Sequence, residues 1–85
     1  MQVDISIREQ VYQFIREMFL AGAGLESVQE NESFLENGII DSTGVMELVA
    51  FLEDTFGITV EDEELIPENL DSIDYVVAYL ERKTA

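Results

Sequence analysis

Asp41-Ser42 stands at the mouth of the best amphipathic stretch in this 85-residue chain. A serine hydroxyl at a helix start can do two things. It can accept a hydrogen bond from a backbone N–H as a simple cap. Held on a rigid edge and open to solvent, it can also be an attachment point. The pair recurs at Asp71-Ser72, so the dipeptide alone does not decide between these roles. Little else competes as chemistry. The chain has no cysteine and no histidine, which removes disulfides and any ordinary zinc site. Tyr12, Tyr75 and Tyr79 read as core or rim residues, and no convergent acid–base set can be named, so an enzyme is not expected. Glu61-Asp62-Glu63-Glu64 lacks the alternating spacing and the glycine of an EF-hand loop. It supports weak Mg²⁺ or Ca²⁺ binding that relieves repulsion, and no dedicated metal site.

The elements that must position Ser42 read as helices joined by loops. Ile7, Val11, Phe14, Ile15, Met18 and Phe19 recur at helical spacing, which predicts a first helix near residues 4–21. Ser6-x-x-Glu9 is a candidate capping box, with a start nearer Val3 or Asp4 as the alternative. Gly22 and Gly24 end the helix. A long connection follows over 22–41, anchored by Leu25, Val28, Phe34, Leu35, Ile39 and Ile40. Ser33–Glu36 suits one helical turn, and Asn37-Gly38 a tight turn. The second helix spans 42–56. At about 100° per residue, Val45, Leu48, Val49, Leu52 and Phe56 share one sector. Ser42, Met46, Glu47, Ala50, Glu53 and Asp54 lie opposite. Gly57 stops it, and Ile58-Thr59-Val60 is an extended connector. A short helix is expected at 61–65, with Pro67 ending it or opening another turn. Asp71 caps a last helix that ends near Arg82-Lys83. The expected fold is all-α: a small bundle of three main helices plus one short helix, one domain over 1–85.

Charge narrows the partners. Nineteen acidic residues face four basic ones, for a net charge of −15. Between Glu17 and Glu81 every charged side chain is acidic. Such a surface repels nucleic-acid phosphates and anionic membranes. It attracts basic protein patches and speeds encounter with them. At 47% hydrophobic residues the chain holds enough apolar material for a core. No apolar run approaches the roughly 18 residues of a membrane span. With no basic leader and apolar run at Met1-Gln2-Val3-Asp4, a cytoplasmic monomer is expected.

Gly38-x-x-Asp41-Ser42, then Val45-Met46-Glu47-Leu48-Val49, then Leu52-Glu53-Asp54-x-Phe56-Gly57-Ile58, resembles the acyl carrier proteins, over nearly the whole chain. The resemblance implies a 4′-phosphopantetheine arm, drawn from coenzyme A, on Ser42. Acyl or aminoacyl groups would ride on the arm's terminal thiol as thioesters. It implies a phosphopantetheinyl transferase as partner, with Asp41 as cap or recognition residue. It also implies a loading ligase and downstream acyl-transfer enzymes with basic docking patches. Thr43, Met46, Glu47, Ala50, Glu53 and Asp54 would form the docking face. The chemistry agrees. The chain has no thiol, and a thiol on a tethered arm visits several active sites at high effective concentration. A helix N-terminus favours the arm's phosphate. Ser72 is not assigned the arm, because Tyr75, Ala78 and Tyr79 take up much of the surface of its helix. The alternative is an acidic helical interaction module in which Ser42 is only a cap.

Three positions depart from that family's pattern. Thr43 stands where leucine is most common, which alters a usual partner contact. Gly44 replaces a commonly polar residue and is expected to loosen the first turn, since helical glycine costs up to about 1 kcal/mol. Phe51 stands where many members have a small residue, and its ring is expected to fill part of the interior. Together these point to a specialised carrier of short acyl or aminoacyl groups.

Overall fold

The chain is described by a computed structural model that covers residues 6–84. Val3 and Asp4, the alternative start of the first helix, lie outside these residues. Ser6 holds the start that is seen: its Oγ accepts from the backbone N–H of Glu9 at 3.1 Å and donates to the Glu9 carboxylate at 3.2 Å. Helix α1 (Ile7–Ile15) follows and buries Val11 and Ile15. It runs straight into a π turn, Arg16–Leu20. A π turn holds more residues per turn than an α-helix, so it shifts the face that follows. Leu20 therefore faces the core while Met18, expected inside, is 53% exposed.

The connection from 22 to 41 is sewn to the rest of the chain rather than left loose. Val28, Phe34, Ile39 and Ile40 are buried, whereas Leu25 and Leu35, expected as anchors, are exposed. Tyr12 Oη accepts from the N–H of Val28 at 3.3 Å. Asp71 fastens the middle: its carbonyl accepts from Phe34 N–H at 2.8 Å, and its carboxylate accepts from Leu35 N–H at 3.0 Å and from Ser33 Oγ. Arg8 pairs with both Glu30 and Asp74, joining α1, the connection and the last helix. The single turn at 33–37 is present, closed by Asn37 N–H on Ser33 O at 3.2 Å, and Gly38 completes it at φ 67°. A positive φ is open to glycine at no steric cost.

Helix α2 (Ser42–Phe56) has the expected bounds, and Gly57 stops it in the left-handed conformation at φ 66°. Leu48, Val49 and Leu52 carry it into the common core. The short helix expected at 61–65 is two pieces: a 3₁₀ turn (Asp62–Glu64) and a one-turn helix α3 (Pro67–Leu70). Ile66, the residue before proline, is extended at φ −126°, ψ 153°, which breaks any continuous helix there. Pro67 opens α3 at its first position, where its missing N–H costs nothing.

Helix α4 (Ile73–Thr84) packs on α1 and α3 and buries Ile73, Val76, Val77, Tyr79 and Leu80. Ser72, not Asp71, caps it: Ser72 is 3% exposed and its Oγ accepts from Tyr75 N–H at 3.0 Å. Asp71 is occupied with the connection instead. Tyr79, read from the sequence as a core or rim residue and also as taking up surface of its helix, is only 1% exposed and belongs to the core. Its hydroxyl reaches Glu64 at 3.0 Å, as does Lys83 Nζ, and Arg82 donates to Asn69 at 2.7 Å. The end of α4 is thereby tied to the 3₁₀ turn and α3. All assigned elements of the described residues are helical.

Candidate functional site

The two Asp-Ser pairs have opposite hydrogen bonding, and this separates the two roles of serine. At 41–42 the aspartate is the cap. Asp41 is extended, and its Oδ1 accepts from Gly44 N–H at 2.7 Å. Ser42 is the first helical residue, exposed, and its hydroxyl makes no hydrogen bond to any described residue. At 71–72 the serine is the buried cap. A hydroxyl committed to a backbone N–H inside the protein is withdrawn from chemistry; a free one at the surface is available for it. The reading of Ser42 as only a cap therefore conflicts with the geometry.

The surroundings of Ser42 suit an anion. Ser42, Thr43 and Gly44 make the first turn of α2, and that turn contains no acidic side chain. The unsatisfied N–H groups and the positive end of the helix dipole lie there. A phosphate on the serine would meet Asp41 as the one nearby carboxylate of the cap, and Asp41 already holds a hydrogen bond to Gly44. These features fit a phosphate ester at Ser42 better than at Ser72.

Of the six residues expected on the docking face, five are exposed: Thr43, Met46, Glu47, Ala50 and Asp54. Met46 is 56% exposed, an adaptable apolar side chain open to solvent. Glu53 differs. It is half-buried, and its carboxylate accepts from Val60 N–H at 2.9 Å, fastening the connector that follows α2. That bond spans seven residues, and nothing in the local pattern announces it.

Two hollows flank α2 near Ser42. One, of about 400 Å³, is open and is lined by Met18, Phe19, Thr43, Gly44 and Glu47 among others. The other, of about 150 Å³, is apolar and is lined by Leu35, Val45, Leu65, Ile66 and Leu70. Phe51 packs against the core. Its ring is half-buried and stacks on Phe14 with centroids 4.0 Å apart. Gly44 is buried, with Phe19 and Ile40 next to the position where a Cβ would stand.

Away from Ser42, Glu64 is a carboxylate hub. The N–H of Glu61 and the ammonium of Lys83 hold its pKa below the ordinary value. Burial, followed by the Glu64 carboxylate, pushes the Tyr79 phenol up to about 12. Among the described residues no group of three or more acidic side chains is placed to hold a metal ion. No described helix is long and apolar enough to cross a membrane.

Comparison with known proteins bears on the same segment. Residues 13–80 match the model of the phosphopantetheine attachment site family. The chain is 42% identical over 62 residues to an acyl carrier protein of an Exiguobacterium species, covering 73% of this chain and 76% of that one. It is 38% identical over 79 residues to an acyl carrier protein of Akkermansia muciniphila, covering 93% and 94%. It is also 30% identical over 76 residues to a D-alanyl carrier protein of Streptococcus suis, covering 87% and 90%.

Proposed function

This chain belongs to the phosphopantetheine attachment site family, as a carrier rather than a catalyst, and from that premise we propose that Ser42 is its attachment residue. The observation that supports this most is the division of labour at α2. Asp41 takes the cap, so the Ser42 hydroxyl is left exposed and unbonded. The 4′-phosphopantetheine group of the family supplies a thiol, which this chain lacks, and thioester-bound acyl or aminoacyl cargo travels on it.

The protein's own residues present, orient and advertise the serine. The cap and the sewn connection hold the first turn of α2 in place. A phosphopantetheinyl transferase would take the Ser42 proton. A bond from Oγ to the pantetheine-linked phosphorus of coenzyme A then forms. The pyrophosphate P–O bond breaks, and adenosine bisphosphate leaves. The N-terminal turn of α2 would steady the resulting phosphodiester. Thr43, Met46, Glu47, Ala50 and Asp54 offer an acidic stripe with an adaptable apolar centre to acyl-handling enzymes. Glu53 contributes its charge from a half-buried position.

For the cargo, we read a short acyl or aminoacyl group. The apolar hollow beside α2 is about 150 Å³. That hollow is open to solvent and is not an enclosed cavity. The D-alanyl carrier protein among the relatives keeps the aminoacyl choice open beside the acyl one. The chain works as one domain, with a loading ligase and downstream transfer enzymes as its partners.

The test is direct. Incubate the folded protein with coenzyme A and a promiscuous phosphopantetheinyl transferase, then measure intact mass. The wild type gains one phosphopantetheine, and Ser72→Ala gains it too. Ser42→Ala stays at its starting mass. Modification of Ser42→Ala, or none of the wild type, refutes the assignment. Charge reversal at Glu47 slows the reaction at low salt and much less at high salt.

A further inference from the structure

Gly44 lies in the first turn of α2, two residues after Ser42, and it is the point where three side chains meet. A Cβ added there would lie 3.0 Å from Phe19 Cε1, 3.0 Å from Ile40 Cγ2 and 3.4 Å from Asp41 Oδ1. The first two separations are tighter than most real Cβ contacts, so a methyl there would push its neighbours by a few tenths of an ångström. Glycine therefore serves here as a seat for the Phe19 ring, and the expected loosening of the helix is offset by packing.

Phe19 is the fourth of the five residues of the π turn, Arg16–Leu20. The ring also meets Phe14 edge-on, with centroids 5.7 Å apart. Phe14 in turn stacks on Phe51 at 4.0 Å, and Phe51 meets Phe56 at 6.0 Å. One row of rings thus runs from the first turn of α2 to its last. Ile40, buried and near the same Cβ position, directly precedes the cap residue Asp41. Phe19 and Ile40 both border the turn that carries Ser42, at the position where a Gly44 Cβ would stand.

We infer that Phe19 is a positioning residue for modification of Ser42, acting through its contact with Gly44. This rests on Ser42 being the attachment residue. Phe19 need not touch coenzyme A. It fixes where the serine hydroxyl stands relative to the rest of α2, on which a transferase takes its bearings. A reacting atom misplaced by about 1 Å can cost on the order of 100-fold in rate. Binding through the outer face of α2 would be little changed, so the loss belongs in kcat rather than KM.

The experiment is steady-state transferase kinetics, with coenzyme A saturating and the carrier varied. It compares the wild type, Phe19→Leu, Gly44→Ala and the double variant, at a temperature where circular dichroism shows each one folded. Gly44→Ala is expected to lower kcat by about ten-fold or more with KM within about two-fold. Phe19→Leu, which keeps an apolar side chain and the fold, lowers kcat less. The double variant recovers most of the Gly44→Ala loss, because the smaller side chain vacates the space that the new methyl needs. Amide shifts of Ser42 and Thr43 should move in Gly44→Ala and return in the double variant. A wild-type kcat in folded Gly44→Ala, a loss confined to KM, or a double variant no better than Gly44→Ala would overturn the inference. Failure of the wild type to be modified would instead refute the attachment reading.

Discussion

Ser42→Ala and Ser72→Ala should be mirror images of each other. Ser72 is 3% exposed, and its Oγ accepts the N–H of Tyr75 at 3.0 Å. Alanine leaves that N–H without its partner at the buried start of α4. Removing a serine cap costs about 1 kcal/mol, within a range of roughly 0.5–2. For a domain of this size each 1 kcal/mol lowers the melting temperature by about 4–8 °C. Ser72→Ala should therefore melt about 4–8 °C below the wild type and still be fully modified by the transferase. Ser42 makes no such bond, and an exposed change away from caps and core is worth within about 0.5 kcal/mol. Ser42→Ala should melt within about 3 °C of the wild type and not be modified at all. Calorimetry or circular dichroism reads the first quantity, and intact mass the second. A Ser42→Ala protein destabilised as much as Ser72→Ala would refute the division of labour. It would mean that the Ser42 hydroxyl, and not the Asp41 carboxylate, supports the start of α2.

Asp41→Ala removes the carboxylate that holds Gly44 N–H at 2.7 Å; a loss of about 1 kcal/mol is expected by thermal melting. A double-mutant cycle on Phe14 and Phe51 should return a coupling of about 0.5–1.5 kcal/mol for their stacked rings. A coupling near zero would show that the stack adds nothing beyond burial. Alkaline titration followed by tyrosine absorbance should show one phenol ionising near 12, with Tyr79→Phe removing it. The Tyr79 pKa is raised in the folded state, so its contribution to stability is complete below about pH 10. It is lost as pH climbs from there through about 12. Melting temperature should fall over that window, and less steeply in Tyr79→Phe. Glu64 works in the other direction: its pKa is lowered by Glu61 N–H and Lys83. Its contribution is present above its ordinary value of 4.5 and fades as pH falls through the folded value, which carboxylate NMR shifts would report.

Helix α2 was legible to the residue because its limits are local. An aspartate accepts from the turn it precedes, and a glycine turns left-handed just after the last apolar position. Asp41-Ser42 was legible for the same reason. The π turn was not, since the apolar periodicity of residues 7–19 runs through it without a break. That is why Met18 was expected in the core. The roles of Asp71 and Ser72 were exchanged because Asp71 is drawn to Ser33 and Leu35, far back in the chain. Gly44 read as a weakness for want of knowing that Phe19, 25 residues earlier, lies across it. Glu53 read as pure surface because its partner, Val60 N–H, lies beyond the helix end. In each case the missing information was a tertiary neighbour, and in each case the local rule was sound without it.

Three of the chain's four cations are used internally. Arg8 is spent on Glu30 and Asp74, Lys83 on Glu64, and Arg82 on Asn69. None of the four lies on α2. Positive charge is thus confined to α1, the π turn that follows it and α4, while the helix bearing Ser42 shows only negative charge. The molecule has an electrical front. In the field of a basic surface it would feel a torque as well as a pull, and it would turn its cationic elements away before touching. Salt that shortens the screening length below about 10 Å should blur that aim at distances where short-range contacts still hold. Misoriented collisions, more than weaker complexes, would then account for slower loading in concentrated electrolyte.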